Sequence, residues 1–292
     1  MITVAEATDI VLSNTLSLGT ETVPLAESLG RILAESFNAD RDFPPFNRVT
    51  MDGIAILFSA FEDGTRAFPI QSTAPAGEVQ QTLHNPKDCI ECMTGAVLPN
   101  GCDTVIRYED LTIENGTATI NLDVLTWGQN VHKKGEDRQQ GSQIVERGKK
   151  ISPAEIGVGA TIGKPEVEVM KTPSVLIIST GDELVNVDQT PAPHQIRSSN
   201  GHTIRAACAP YGLQIDEVHL LDDYETIKNK IAGYLDQYQV LILSGGVSKG
   251  KFDYVPGALA ELKAEKLFHR VAQRPGKPFW FGTAPSGTVV FA

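Results

Sequence analysis

An apolar run at residues 240–243 leads straight into Ser244, Gly245 and Gly246, and then into Ser248, Lys249, Lys251 and Asp253. Paired glycines let the backbone approach a ligand closely and aim N–H groups at it, as a phosphate or another oxyanion requires. Ser244 and Ser248 add hydroxyl donors to the same loop. A second loop, STGDEL at residues 179–184, carries Asp182 and Glu183, and Asp222 and Asp223 follow a third apolar run. Carboxylates beside phosphate-binding glycines commonly hold Mg²⁺, which takes oxygen ligands and keeps several waters. Helix N-capping accounts for Asp222 or Asp223, but Glu183 and Asp253 have no such duty. Near the C-terminus FHRVAQRPGKPFWFG supplies Arg270, Arg274 and Lys277. Alternation puts Arg270, Ala272 and Arg274 on one face of an expected strand, and Pro-Gly-Lys-Pro predicts a turn that presents Lys277.

Other chemistries find less support. Neither glycine loop matches a dinucleotide fingerprint or a P-loop. The six histidines are scattered without HxxxH spacing, and no Ser or Cys nucleophile motif accompanies them, so histidine-based hydrolysis is not indicated. Cys89 and Cys92 form a lone CxxC, read as strand cysteines of a reduced cytosolic protein rather than a zinc site. Asp52, in RVTMDGIAI, reads as an Asp-Gly hairpin turn. The segment VHKKGEDRQQG, with His132, Lys133, Lys134, Glu136, Asp137 and Arg138, fits a mixed-charge surface loop as well as a site. A net charge of −11 argues against nucleic acid as a partner and leaves small anions to local cationic clusters. No run of about 18 apolar residues predicts a membrane span, and the N-terminus lacks the pattern of a signal peptide. A cytoplasmic protein is expected.

These residues need elements to position them. The 292 residues exceed one ordinary core and predict two or three domains. A Thr3–Glu6 capping box opens an N-terminal helix, and ETVPLAESLG predicts a short strand and a helical turn. Residues 40–137 show short apolar runs split by turn residues, as an all-β module does. Ser152, Pro153 and Glu155 open a second helix that Gly163 stops. Beyond residue 165, SVLIIST, SSNGHTIRAACAPYG, QIDEVHLL, DDYETIKNKIAGYLDQY and VLILSGG predict a βαβαβ unit on a parallel sheet. Asp222 and Glu225 are expected to box the second of its helices.

Taken in order, FPPFNRVTMDGIAI, MTGAVLPNGCDTVIRYED, KKGEDR, STGDELV, SSNGHTIRAACAPYG, SGGVSKGKFDYV and RPGKPFWFG resemble the molybdopterin molybdenumtransferases, the MoeA proteins and the gephyrin E domain. The resemblance covers nearly the whole chain. It implies insertion of molybdate into adenylylated molybdopterin with release of AMP, assisted by Mg²⁺. By position it assigns site roles to Asp52, Thr94, Asp137, Glu183, Asp222 and Asp253. Of these, Glu183 and Asp253 are the expected metal ligands. Phosphate or molybdate contacts fall to Ser244, Gly245, Gly246, Ser248, Arg270, Arg274 and Lys277. Lysines are usual in the family where Arg270 and Arg274 stand, an acid where Lys251 stands, and Tyr-Asp where Arg197-Ser198 stand. Arg for Lys keeps the charge and changes a point charge to a fork.

The implied fold is multidomain, α/β plus β. A discontinuous helical linker domain comprises residues 1–38 and 138–166, a β-rich domain 39–137, and an α/β molybdopterin-binding domain 167–292. The family continues past GTVVFA into a Leu-Pro-Gly-Asn-Pro loop and a small β domain, which this sequence lacks. The resemblance also implies a homodimer with its cleft shared between subunits, and a molybdopterin adenylyltransferase as a partner protein. That adenylyltransferase is also the nearest alternative reading of the function, but it needs only the α/β domain, and the MDG and GED segments argue against it. A non-catalytic pterin-binding scaffold is the other alternative.

Overall fold

The computed structural model describes residues 1–247 and 253–292; Ser248, Lys249 and Lys251 lie outside the described residues. The chain divides into two compact units. One holds residues 1–35, 148–156 and 166–292, and the other 36–147 and 157–165.

The first unit is built on a six-stranded sheet. Ser174–Thr180 is buried from Val175 onward because strands flank it on both edges. It pairs in parallel with Gln214–Leu220 on one side and Val240–Ser244 on the other. Helix Tyr224–Leu235 places Ile227, Ile231 and Leu235 at helical spacing onto Leu176, Ile178 and Leu241, an amphipathic stripe meeting a doubly covered sheet. The parallel βαβαβ unit is thus present, but the sheet as a whole is mixed. Val289–Phe291 joins Val240–Ser244 in parallel, and Trp280–Thr283 and Glu265–His269 then continue antiparallel. The N-terminal helix Val4–Ser13 has the expected capping box: Glu6 N donates to Thr3 Oγ1 at 3.2 Å and Thr3 N to Glu6 Oε2 at 2.7 Å. Thr20–Pro24 pairs with Glu166–Met170, as one strand of the expected strand-and-turn.

The second unit holds a sheet in the order Thr104–Arg107, Gly53–Ile56, Cys89–Cys92, Ala67–Ala74, Thr117–Ile120, Leu111–Glu114. Both faces are covered: Ala55, Ile90 and Val105 pack on one side, and Ile54, Phe68 and Ile106 on the other. Cys89, Cys92 and Cys102 are buried among them. Burial pushes each thiol up to about 12, so these cysteines are inert at neutral pH.

Three local expectations are corrected. Asp52-Gly53 is no hairpin turn, since Gly53 begins a central strand and pairs with both Cys92 and Arg107. A Cβ on Gly53 would lie 1.9 Å from the Ile106 carbonyl oxygen, so close backbone approach is what demands glycine there. The cap of helix Tyr224–Leu235 is Asp223, whose carboxylate accepts from Thr226 N at 2.8 Å. Glu225 pairs with Lys228 instead of closing a box, which leaves Asp222 outside the capping. Arg270 and Arg274 do not share a strand face, because the strand ends at His269. Arg270 has φ +87°, which breaks the pleat, and Val271 bridges to Ile2.

Candidate active site

In the second unit Asp52 stands at the mouth of the central strand. Thr94 donates to its Oδ1 twice, from the backbone N at 2.6 Å and from Oγ1 at 2.7 Å. Those bonds, the backbone one foremost, hold the Asp52 carboxyl below the usual range. Thr94→Ala keeps the backbone donor and removes the other. The Asp52 carboxyl carbon, followed by NMR, should then titrate at higher pH than in wild type; an unmoved titration would mean that the hydroxyl bond is not made in solution.

Asp137 is held differently. Its Oδ1 lies 3.1 Å from His132 Nε2, and Arg48 Nη2 lies 3.1 Å from His132 Nδ1. A guanidinium can only donate, so Nδ1 accepts, and the Nε2–H donates to Asp137. The short strand Arg48–Val49 adjoins both pairs: Gly95 N donates to Val49 O, and His132 stands opposite Arg48. The structure therefore gathers Asp52, Thr94 and Asp137 around one strand. The mixed-charge loop hid His132, whose role needs the cross-strand partner to be visible.

In the first unit the two glycine loops meet at the carboxyl ends of the parallel strands. Gly245 and Gly246 are left-handed, at φ +100° and +62°. A Cβ on Gly245 would sit 2.4 Å from Thr180 O and 2.7 Å from Thr180 Oγ1. That Thr180 hydroxyl is buried, with no hydrogen-bond partner among the described residues. Ser244 Oγ accepts from Asn200 Nδ2 at 2.8 Å. Glu183 folds its carboxylate back over Gly181, where a Cβ would lie 2.5 Å from Oε2. Asp222 N donates to Asp182 Oδ1 at 3.0 Å. Burial, reinforced by the charges of Asp182, Glu183 and Asp253, pushes the Asp222 carboxyl up. Glu183 and Asp253 are thus each within electrostatic reach of Asp222.

Two histidines that the sequence did not single out tie these loops down. His219 Nε2 lies 2.8 Å from Gly181 O, and His269 Nε2 lies 3.0 Å from Val247 O. The second contact starts Arg270 beside the Gly-Gly loop. Arg274 and Lys277 sit on the exposed loop that follows, which Val271 N closes by donating to Lys277 O at 3.1 Å.

Residues 2–163 match the family described as MoeA N-terminal region (domain I and II). Residues 176–292 match a probable molybdopterin binding domain. A molybdopterin molybdenumtransferase of Synechocystis sp. is 42% identical over 284 residues, which are 97% of this chain and 73% of that protein. The chain belongs to the MoeA family. A Staphylococcus aureus member with the same name is 36% identical, covering 94% of this chain and 67% of its own length. The crystal structure of a molybdopterin biosynthesis MoeA protein from Pyrococcus horikosii superposes with a TM-score of 0.84 at 30% identity, over all of this chain and 74% of that one. The fold is accordingly MoeA-like, with mixed sheets in both units. Among the described residues no helix is long and apolar enough to cross a membrane.

Proposed function

We infer that the protein is a molybdopterin molybdenumtransferase, which inserts molybdate into adenylylated molybdopterin and releases AMP. The observation that carries this reading is the convergence at one set of strand ends. Left-handed Gly245 and Gly246, the Thr180 hydroxyl, which has no partner among the described residues, and Asp222 with the charges of Asp182, Glu183 and Asp253 around it all meet there. Backbone and hydroxyl donors suit phosphate and molybdate oxygens. In this reading Ser244, Gly245, Gly246, Ser248, Arg270, Arg274 and Lys277 contact those anions, and Asp52, Thr94 and Asp137 contact the pterin nucleotide.

Mg²⁺ fits the acidic side of this site. Mg²⁺ binds through one or two carboxylates, waters and substrate phosphates, and the carboxylates whose charges reach Asp222 are donors of that kind. Glu183 and Asp253 would hold it, and it would neutralise charge on the phosphate oxygens.

The three-domain division, the homodimer, the adenylyltransferase partner and the cytoplasmic location belong to the same proposal. Its direct test is incubation of the protein with adenylylated molybdopterin, molybdate and Mg²⁺, with AMP release as the readout; no molybdate-dependent AMP would refute it. If the cleft is shared between subunits, Asp52→Ala and Asp253→Ala are each inactive alone. After subunit exchange they regain about one quarter of wild-type activity, since a statistical mixture is about half heterodimer and each heterodimer has one intact cleft. No regain, with exchange confirmed by mass spectrometry, places the whole site in one chain.

A further inference from the structure

Next to the acidic strand ends, between helix Asn200–Cys208 and the strands Ser174–Thr180 and Gln214–Leu220, lies a cavity of about 260 Å³. None of its lining residues is among the anion, nucleotide or metal contacts assigned above. Ser179 lines it, 3% exposed, with a hydroxyl that has no hydrogen-bond partner among the described residues. A buried unpaired hydroxyl is costly, and a ligand that completes it is the economical explanation. Glu217 also lines this space. Helix residue Gly201 makes room for it, since a Cβ there would lie 1.9 Å from Glu217 Oε1. Arg205 stands 3.8 Å from Glu217 Oε2, itself anchored by donating to Ile215 O at 2.9 Å, and so balances the charge while leaving acceptor sites on both oxygens. Val185 and Val187 supply apolar walls. His219, also in the lining, donates to Gly181 O and joins the cavity to the loop of Asp182 and Glu183.

The cavity is just smaller than the range of about 300–1,000 Å³ typical of whole small-molecule sites, so it takes one ring system rather than a nucleotide. A carboxylate accepts only. It therefore selects a ring edge that offers two adjacent donors, and binds it through two parallel hydrogen bonds. A 2-amino-4-oxopyrimidine has that edge, in its exocyclic amine and the neighbouring ring N–H. Adenine offers one donor beside a ring-nitrogen lone pair, which Glu217 would repel. We propose that this cavity binds the aminopyrimidinone end of the pterin, with Glu217 as its bidentate acceptor and Ser179 as a second polar contact. The assignment rests on the molybdopterin reading. It sets the pterin beside Glu183 and leaves the phosphate and nucleotide to the Gly245–Gly246 side.

The test uses the whole chain and two readouts. In the first, quenching of pterin fluorescence follows the binding of 6-hydroxymethylpterin. Wild type binds it, AMP does not displace it, and Glu217→Gln binds it about ten- to a hundredfold more weakly, the loss expected for a hydrogen bond to a charged group. In the second, Glu217→Gln raises KM for adenylylated molybdopterin by a similar factor and leaves KM for molybdate unchanged. Ser179→Ala covers the case in which Glu217→Gln folds poorly. It should weaken pterin binding several-fold without lowering Tm, because it deletes a hydroxyl that has no partner among the described residues. No pterin binding by wild type, displacement by AMP, or variant constants within about twofold of wild type would overturn the assignment. Pterin binding without AMP release would instead uphold the cavity and sink the transferase reading.

Discussion

Asp253→Asn should lower molybdate-dependent AMP release about a hundredfold or more, the scale on which one charged group that stabilises developing charge contributes, while the protein stays folded. The same variant should change an equilibrium property that does not depend on turnover. Asp222 is held above the usual carboxylate range by burial and by Asp182, Glu183 and Asp253. Neutralising Asp253 removes one of those repulsions, so the Asp222 carboxyl should titrate at lower pH. The folded protein binds the Asp222 proton more tightly than the unfolded chain does. Stability therefore falls as pH rises from the ordinary carboxylate range through the raised value, and Asp253→Asn should make that fall shallower. Mg²⁺ should raise Tm in wild type above that window and do so less in the variant. Wild-type turnover, or an Asp222 titration that does not move, would remove Asp253 from the site.

Gly53→Ala should cost about 3 kcal/mol or more, at or beyond the upper end of ordinary overpacking. The new methyl would lie 1.9 Å from the Ile106 carbonyl oxygen and 2.8 Å from Arg107 Cα, both backbone atoms of a neighbouring strand that cannot swing away. Asp52 immediately precedes the strand that would have to shift, so activity should fall with stability. Gly157→Ala is the control. Gly157 lies in helix Pro153–Thr161 with nothing within 4 Å of its added Cβ, and alanine there should stabilise by about 1 kcal/mol. Urea midpoints of the two variants should move in opposite directions. A Gly53→Ala midpoint within error of wild type would mean that the strands are not packed as described.

The sequence by itself determined the local elements. Thr3 and Glu6 cap a helix from three residues apart, and Ser152, Pro153 and Glu155 do the same, because capping depends only on side chains within one turn. The unbroken run SVLIIST announced a strand covered on both sides, and the order of motifs announced the family before any coordinates. Tertiary structure alone decided what depends on residues far apart. Asp52-Gly53 has the composition of a turn, but Arg107 and Cys92 flank it and make it a strand. His132 looked like one charge among many until Arg48, 84 residues away, fixed its tautomer. Asp222 and Asp223 are interchangeable as caps in the sequence; the fold puts Thr226 N at Asp223 and Asp182 at Asp222. Ser179 is one more residue of an apolar strand until Glu217 and helix Asn200–Cys208 enclose a cavity beside it. Caps and patterns are written in neighbouring residues, whereas hydrogen-bond partners, close backbone approach and burial are set by segments that meet only when the chain has folded.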